Sequence, residues 1–155
     1  IPARAKITGA YVNSAFSKTE AMEGGFAEAI VLTLDGHVAE GSAENIFILR
    51  DGVLLTPPSS DGILEGITRS TLMRMAKDEL GLDTIERSID RTELYIADEV
   101  FFCGTGAQVT PVVEIDRRPV GEGIVGPVTS KLHQVYFEAV RGDNPKYESL
   151  LISAY

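Results

Sequence analysis

The chain has 155 residues, 44% of them hydrophobic and 24% charged, which fits one domain with a real hydrophobic core. Its formal net charge is −9 and its 14 Lys and Arg form no basic run, so nucleic acid and membranes are not expected partners. Single Cys103 can form no internal disulfide, no apolar run approaches the ~18 residues of a membrane span and no signal peptide is visible, so a reducing, cytoplasmic setting is expected.

From about Gly9 to Glu23 the pattern predicts a helix, with Tyr11, Ala15 and Met22 on one side, extended by Val12, Phe16 and Thr19, and Gly24-Gly25 as its stop. Glu28 to Leu34 is a β-branched, apolar run; Asp35-Gly36 offers a two-residue hairpin turn, and Val38 to Ser42 is the return strand. Asn45 to Leu49 and Val53 to Thr56 flank a second Asp-Gly turn. After a Pro/Ser/Asp/Gly loop, a helix is predicted from about Ile67 to Leu80, with Leu72, Met73, Ala76 and Leu80 inward and Gly81 beyond its end. Thr84 to Ile89, Val100 to Cys103 and Val109 to Ile115 are strand candidates, and Arg91 to Ala97 is a short helix. A last helix starts near Pro127, carries Leu132, Val135, Tyr136 and Ala139 as its apolar stripe and ends at Gly142. Residues from Asn144 onward have no assignable pattern. Hairpins interspersed with three helices imply an α+β fold, a mixed and largely antiparallel sheet covered by helices.

Several residues form a list that suits pyridoxal 5'-phosphate: the amine of Lys6, the phenol of Tyr11, a carboxylate at Glu40 or Glu44, and threonines near glycines at Thr68 and Thr105. An aldehyde cofactor needs a lysine, made reactive by desolvation or a neighbouring cation, for its Schiff base; that amine can later carry a proton as general base. A pyridine nitrogen needs an acid beside it so that the ring draws electrons. A phosphate is held by backbone N–H groups at a helix start, which Ile67 and Thr68 offer, although Thr68 could equally be a simple cap. His37 and His133 have no partner at metal-ligand spacing, so no metal is expected.

The combination and order of Glu40-Gly-Ser-Ala-Glu-Asn-Ile-Phe47, Leu54-Leu-Thr-Pro-Pro58, Gly66-Ile-Thr-Arg69, Leu94-Tyr-Ile-Ala-Asp-Glu-Val100, Gly104-Thr-Gly-Ala-Gln-Val-Thr-Pro111 and Gly126-Pro-Val-Thr129 resemble the class IV (fold type IV) pyridoxal phosphate aminotransferases, above all the branched-chain amino acid aminotransferases. The resemblance runs from about Ala5 to about Val140. It implies the pseudo-barrel C-terminal domain of that fold, with residues 1–155 as the cofactor-bearing part of a longer two-domain protein; the start at Ile1-Pro2-Ala3, without methionine, agrees. It implies Lys6 as catalytic amine, Tyr11 on the cofactor's phenolic oxygen, Glu40 rather than Glu44 on the pyridine nitrogen and Leu64 against the ring. Ile67, Thr68 and Thr105 would hold the phosphate, and the N–H groups of Thr105 and Gly106 the substrate carboxylate. Gly106 stands where alanine is frequent in the family, and Ala43 where glycine is, which bears on pocket shape. The implied activity moves the amino group of leucine, isoleucine or valine to 2-oxoglutarate in two alternating half-reactions, in a homodimer or higher homo-oligomer. The alternatives on this scaffold are a D-amino acid aminotransferase or an aminodeoxychorismate lyase, and, from another class, a non-catalytic domain that kept the fold. An arginine for the phosphate is implied to come from the N-terminal domain.

Overall fold

A computed structural model describes residues 2–152. After two 3₁₀ turns (Ala3–Ala5 and Thr8–Ala10) come helix α1 (Tyr11–Glu23) and strands β1 (Ile30–Leu32), β2 (Val38–Gly41), β3 (Asn45–Arg50) and β4 (Val53–Thr56). Helix α2 (Ile67–Leu80), β5 (Thr84–Glu86), a 3₁₀ turn at Arg91–Ile96, β6 (Glu99–Gly104) and β7 (Gln108–Val112) follow. Short strands β8 (Glu114–Ile115) and β9 (Arg118–Pro119), helix α3 (Pro127–Val140) and a 3₁₀ turn at Pro145–Leu150 complete the described chain.

The central sheet runs β5-β4-β3-β6-β7, antiparallel except for the parallel β4–β5 pair, and β1–β2 and β8–β9 form two small antiparallel ribbons. Successive strand side chains alternate between faces, and here both faces are buried. Phe47, Leu49, Phe101 and Cys103 join Leu72, Met75, Ala76, Leu132 and Val135 beneath α2 and α3. Ile46, Ile48, Val100 and Phe102 join Val38, Ile89, Leu94, Ile115 and Val120 on the other face. The two-sided burial explains why Asn45–Leu49 reads as a continuous apolar run after its first residue. Phe47 and Phe101, directly paired across β3 and β6, stack at 5.0 Å between centroids. Glu93 ties the second face to the chain through Arg87 and Arg50, which together hold its carboxyl down to about 2.

Several elements depart from the sequence reading in instructive ways. Asp51-Gly52 is a two-residue turn with positive φ at both residues (51° and 75°), closing the Arg50–Val53 pair. Asp35-Gly36 is not: Thr33 and His37 pair instead, leaving Leu34–Gly36 as a three-residue loop with only Gly36 left-handed. The strand expected over Thr84–Ile89 stops at Glu86, because beyond it Arg87 pairs only through its N–H to Thr56. The run Val109–Ile115 breaks at Val113 into β7 and β8, and β9, which pairs with β8, has no counterpart in the sequence reading. Of the residues read as inward on α2, Leu72 and Ala76 are buried and Met73 and Leu80 half-buried, with Met75 the deeper methionine. Helix α1 forms as read but buries nothing: Val12, Phe16 and Met22 are exposed. The unassigned tail folds back on α2, where Tyr147 is fully buried and donates its hydroxyl to Glu79 at 2.9 Å.

Candidate active site

A cleft of about 1520 Å³ opens between the N-terminal segment, the β1–β2 ribbon, the start of α2 and the end of β6. Lys6, Tyr11, Glu40, Leu64, Ile67, Thr68, Thr105 and Gly106 all line it, so every residue singled out from the sequence faces one space.

Lys6 lies between the two 3₁₀ turns, ahead of α1, and its backbone is left-handed (φ 46°, ψ 37°). From there its Nζ donates to Tyr11 Oη at 3.1 Å. Five residues is not a same-face helical spacing; the contact exists because Lys6 precedes the helix that Tyr11 opens. Arg4 ties this segment to the loop ahead of α2, through an ion pair with Glu65 at 2.8 Å and a hydrogen bond to Ser59 O at 3.3 Å.

Glu40 comes from β2, and its Oε2 accepts the Leu64 N–H at 3.0 Å. Burial raises its pKa above the ordinary carboxylate range, outweighing that hydrogen bond and the attraction of Lys6, while Glu44 pushes the same way as burial. Glu44 turns back on its own loop: its Oε2 accepts Ala43 N–H at 3.0 Å and its carbonyl accepts Gly41 N–H at 2.6 Å. A Cβ at Gly41 would lie 2.8 Å from Glu44 Oε2 and 3.0 Å from the Phe102 ring, so glycine follows the Glu40 carboxylate for lack of space.

Helix α2 opens at Gly66 without a capping side chain, and Ile67 and Thr68, in its first turn at the positive end of the helix, line the cleft. Thr68 is buried and Ile67 exposed. Arg69, one residue on, faces away: it donates to Thr56 Oγ1 at 3.2 Å, Pro57 O at 2.9 Å and Glu86 Oε2 at 2.6 Å. Thr105 and Gly106 occupy the exposed turn after β6. Cys103, at the floor, is fully buried and its thiol is pushed up to about 12 by burial, which leaves it inert.

An amine with a phenol at its elbow, a half-buried carboxylate and an uncapped helix start can together hold an anionic, aromatic, carbonyl-bearing group. Residues 1–115 match the family model described as Amino-transferase class IV. The chain belongs to the class IV aminotransferases. Among curated relatives of this class IV aminotransferase chain, a probable branched-chain-amino-acid aminotransferase of Aquifex aeolicus (strain VF5) is 54% identical over 155 residues, covering 100% of this chain and 50% of the relative. A branched-chain-amino-acid aminotransferase of Pseudomonas aeruginosa is 51% identical over 139 residues, covering 90% of this chain and 45% of the relative. The chain therefore spans about half the length of the curated relatives it matches. Among solved structures, a T.th. branched-chain amino acid aminotransferase complexed with N-(5'-phosphopyridoxyl)-L-glutamate superposes with a TM-score of 0.96 at 49% identity, covering 100% of this chain and 52% of that one. The Thermoproteus uzoniensis enzyme with norvaline gives 0.94 at 50% identity, covering 100% of this chain and 51% of that one.

Two class IV motifs owe their composition to contacts that sequence reasoning passed over. Glu99 opens β6 yet is buried, and it accepts Val128 N–H at 3.0 Å and Thr129 N–H at 2.7 Å at the start of α3. A Cβ on Gly126 would overlap the Glu99 carboxyl. The available signal was a helix start, Gly126-Pro127, with no Ser, Thr, Asp or Asn to cap it. Asn45 is also buried, and its side chain donates to Leu64 O at 2.8 Å.

Proposed function

We propose that this chain is the cofactor-bearing, C-terminal half of a cytoplasmic homo-oligomeric enzyme that moves the amino group of L-leucine, L-isoleucine or L-valine to 2-oxoglutarate with pyridoxal 5'-phosphate. The reading rests on one observation above all: the Lys6 amine, the Tyr11 phenol, the Glu40 carboxylate and the open start of α2 share one cleft in a class IV aminotransferase chain. The names of its relatives supply the substrate class.

The residues present fit the cofactor. Glu40 is half-buried, accepts a single side-chain hydrogen bond and forms no ion pair among the described residues, so a protonated pyridine nitrogen would give it a direct charge partner. The N–H groups of Ile67 and Thr68 and the Thr68 hydroxyl would hold the phosphate, joined by the Thr105 side chain. Leu64 would pack on the ring. When bound, pyridoxal phosphate supplies an electron sink for the pair left at a substrate Cα after its proton departs. Lys6 would anchor the cofactor and, once its Nζ is free, would carry that proton from the substrate Cα to C4′ of the cofactor. Tyr11 Oη, hydrogen-bonded to Lys6 Nζ, orients the amine and shares charge with it. Thr105 and Gly106 N–H groups would fix the substrate carboxylate. The apolar wall of the cleft, from Val12 and Phe16 of α1 to Leu32 and Leu34, would be covered by the rest of the protein, which keeps water from the reacting atoms.

The test uses the whole protein with and without Lys6→Ala. L-Leucine and 2-oxoglutarate should yield glutamate, and borohydride should fix the cofactor to Lys6. In Lys6→Ala fixation should vanish and turnover fall by ~10³-fold or more. Fixation to another lysine would overturn the site, and turnover of D-alanine in place of L-leucine would overturn the substrate class.

A further inference from the structure

The proposed cofactor is gripped at two ends, and the two grips lie on different elements: Glu40 on β2, and the N–H groups of Ile67 and Thr68 on α2. Their separation has to match a rigid ligand. Residue 64 stands between them. Leu64 N–H is held by Glu40 at 3.0 Å, and Leu64 O accepts both Asn45 Nδ2 at 2.8 Å and Gly66 N–H at 2.9 Å. The second of these contacts closes a tight turn across Glu65, and the next residue after Gly66 begins α2. Asn45 itself does not give: it is 5% exposed and opens β3, where its backbone pairs with Cys103 of β6.

The far side of the Asn45 amide is used as well. Gly66 has φ −69° and ψ 136°, a conformation open to any residue, so no backbone demand selects glycine there. Yet a Cβ on it would overlap Asn45 Oδ1. One side-chain amide therefore pulls Leu64 O toward the sheet and sets how closely Gly66 approaches it.

We propose that Asn45 is a positioning residue that sets the distance between the carboxylate end and the phosphate end of the site, by clamping the Leu64–Gly66 turn to the first residue of β3, the middle strand of the central sheet. Asn45 lines the cleft, but its amide N–H goes to Leu64 O and not to Glu40. Its effect is to pre-organise two grips for one molecule, so it matters for a ligand that spans both and little for a ligand that uses only one. This rests on the cofactor reading above.

The experiment measures, on the whole protein freed of cofactor, the affinities for pyridoxal 5'-phosphate, for pyridoxal and for inorganic phosphate. In Asn45→Ala, pyridoxal phosphate should bind ~tenfold or more weakly, while pyridoxal and inorganic phosphate each change by less than about twofold. Gly66→Ala should reproduce that signature from the other side of the contact, and the double variant should add little to either single one. An unchanged affinity for pyridoxal phosphate in both variants would overturn the inference and leave the cofactor reading standing. An equal fall for all three ligands would reduce Asn45 to general fold support and overturn it too. Wild-type protein that binds none of the three would overturn the cofactor reading, and this inference with it.

Discussion

Helices α2 and α3 begin alike and end up in opposite situations. Each is preceded by a glycine in extended conformation, at Gly66 and Gly126, and neither has a capping side chain of its own. At α3 the donors are consumed: Glu99 reaches across from β6 and accepts two of them. At α2 no capping side chain accepts them, Arg69 is turned away onto Thr56 and Glu86, and Ile67 and Thr68 line the cleft. The start of a helix leaves the same demand for acceptors in both places. What differs is whether the fold satisfies it from within or leaves it for a ligand.

Substitutions can break or sharpen this contrast. The largest effect is expected for Glu40, the carboxylate that serves the open end. Glu40→Gln should lose ~3 kcal/mol of transition-state stabilisation, about two decades in turnover, because an amide cannot hold a ring proton. It should not cost stability. The Glu40 pKa is raised by burial, so the folded state binds the proton more tightly than the unfolded one; ionised Glu40 opposes folding above the ordinary carboxylate range. Denaturant titration of the cofactor-free protein at neutral pH should find Glu40→Gln at least as stable as wild type.

Glu99→Ala should do the reverse. It strips two N–H groups at α3 of their acceptor and opens a void beside Gly126, at a cost of ~2–3 kcal/mol in unfolding free energy, with little change in cofactor affinity per folded molecule. A loss of cofactor affinity without loss of stability would mean that the two helix starts are not separate systems. Ile67→Asp brings a charge to the open start without disturbing the core, since Ile67 is 85% exposed. It should stabilise the empty protein by ~0.5 kcal/mol and weaken phosphate-bearing ligands about tenfold, read by thermal shift and by titration with inorganic phosphate. The smallest effect concerns Thr129, whose buried Oγ1 has no partner among the described residues although its N–H is bound by Glu99. Thr129→Val, of the same shape, should be neutral or stabilising by up to ~1 kcal/mol.

The same contrast marks what could be read from the sequence. Elements set by local pattern were legible: the 3.6-residue stripes of α2 and α3, the glycine stops of α1 and the Asp51-Gly52 turn. So was the order of Lys6, Tyr11, Glu40 and Thr68 along the chain. Contacts between distant residues were not. Glu99 meets α3 across 29 and 30 residues and Asn45 meets Leu64 across 19, and neither spacing leaves a periodic trace. Asp35-Gly36 carries the same dipeptide as Asp51-Gly52, but the loop length is set by where Thr33 and His37 can pair. That α1 buries none of its apolar residues was beyond reach, because amphipathic spacing reports a face and not what covers it. Tyr147 lacked any pattern because a single anchor in a short 3₁₀ turn has no period.

Lys6 holds a left-handed backbone, with φ 46°. Glycine occupies that region freely, and any side chain with a Cβ does so at a cost of about 1 kcal/mol or more. Local preference therefore selects against the one amine the proposed chemistry needs. A library of variants screened for heat resistance alone should exchange Lys6 for glycine, and the winners should be sturdier proteins that no longer turn over.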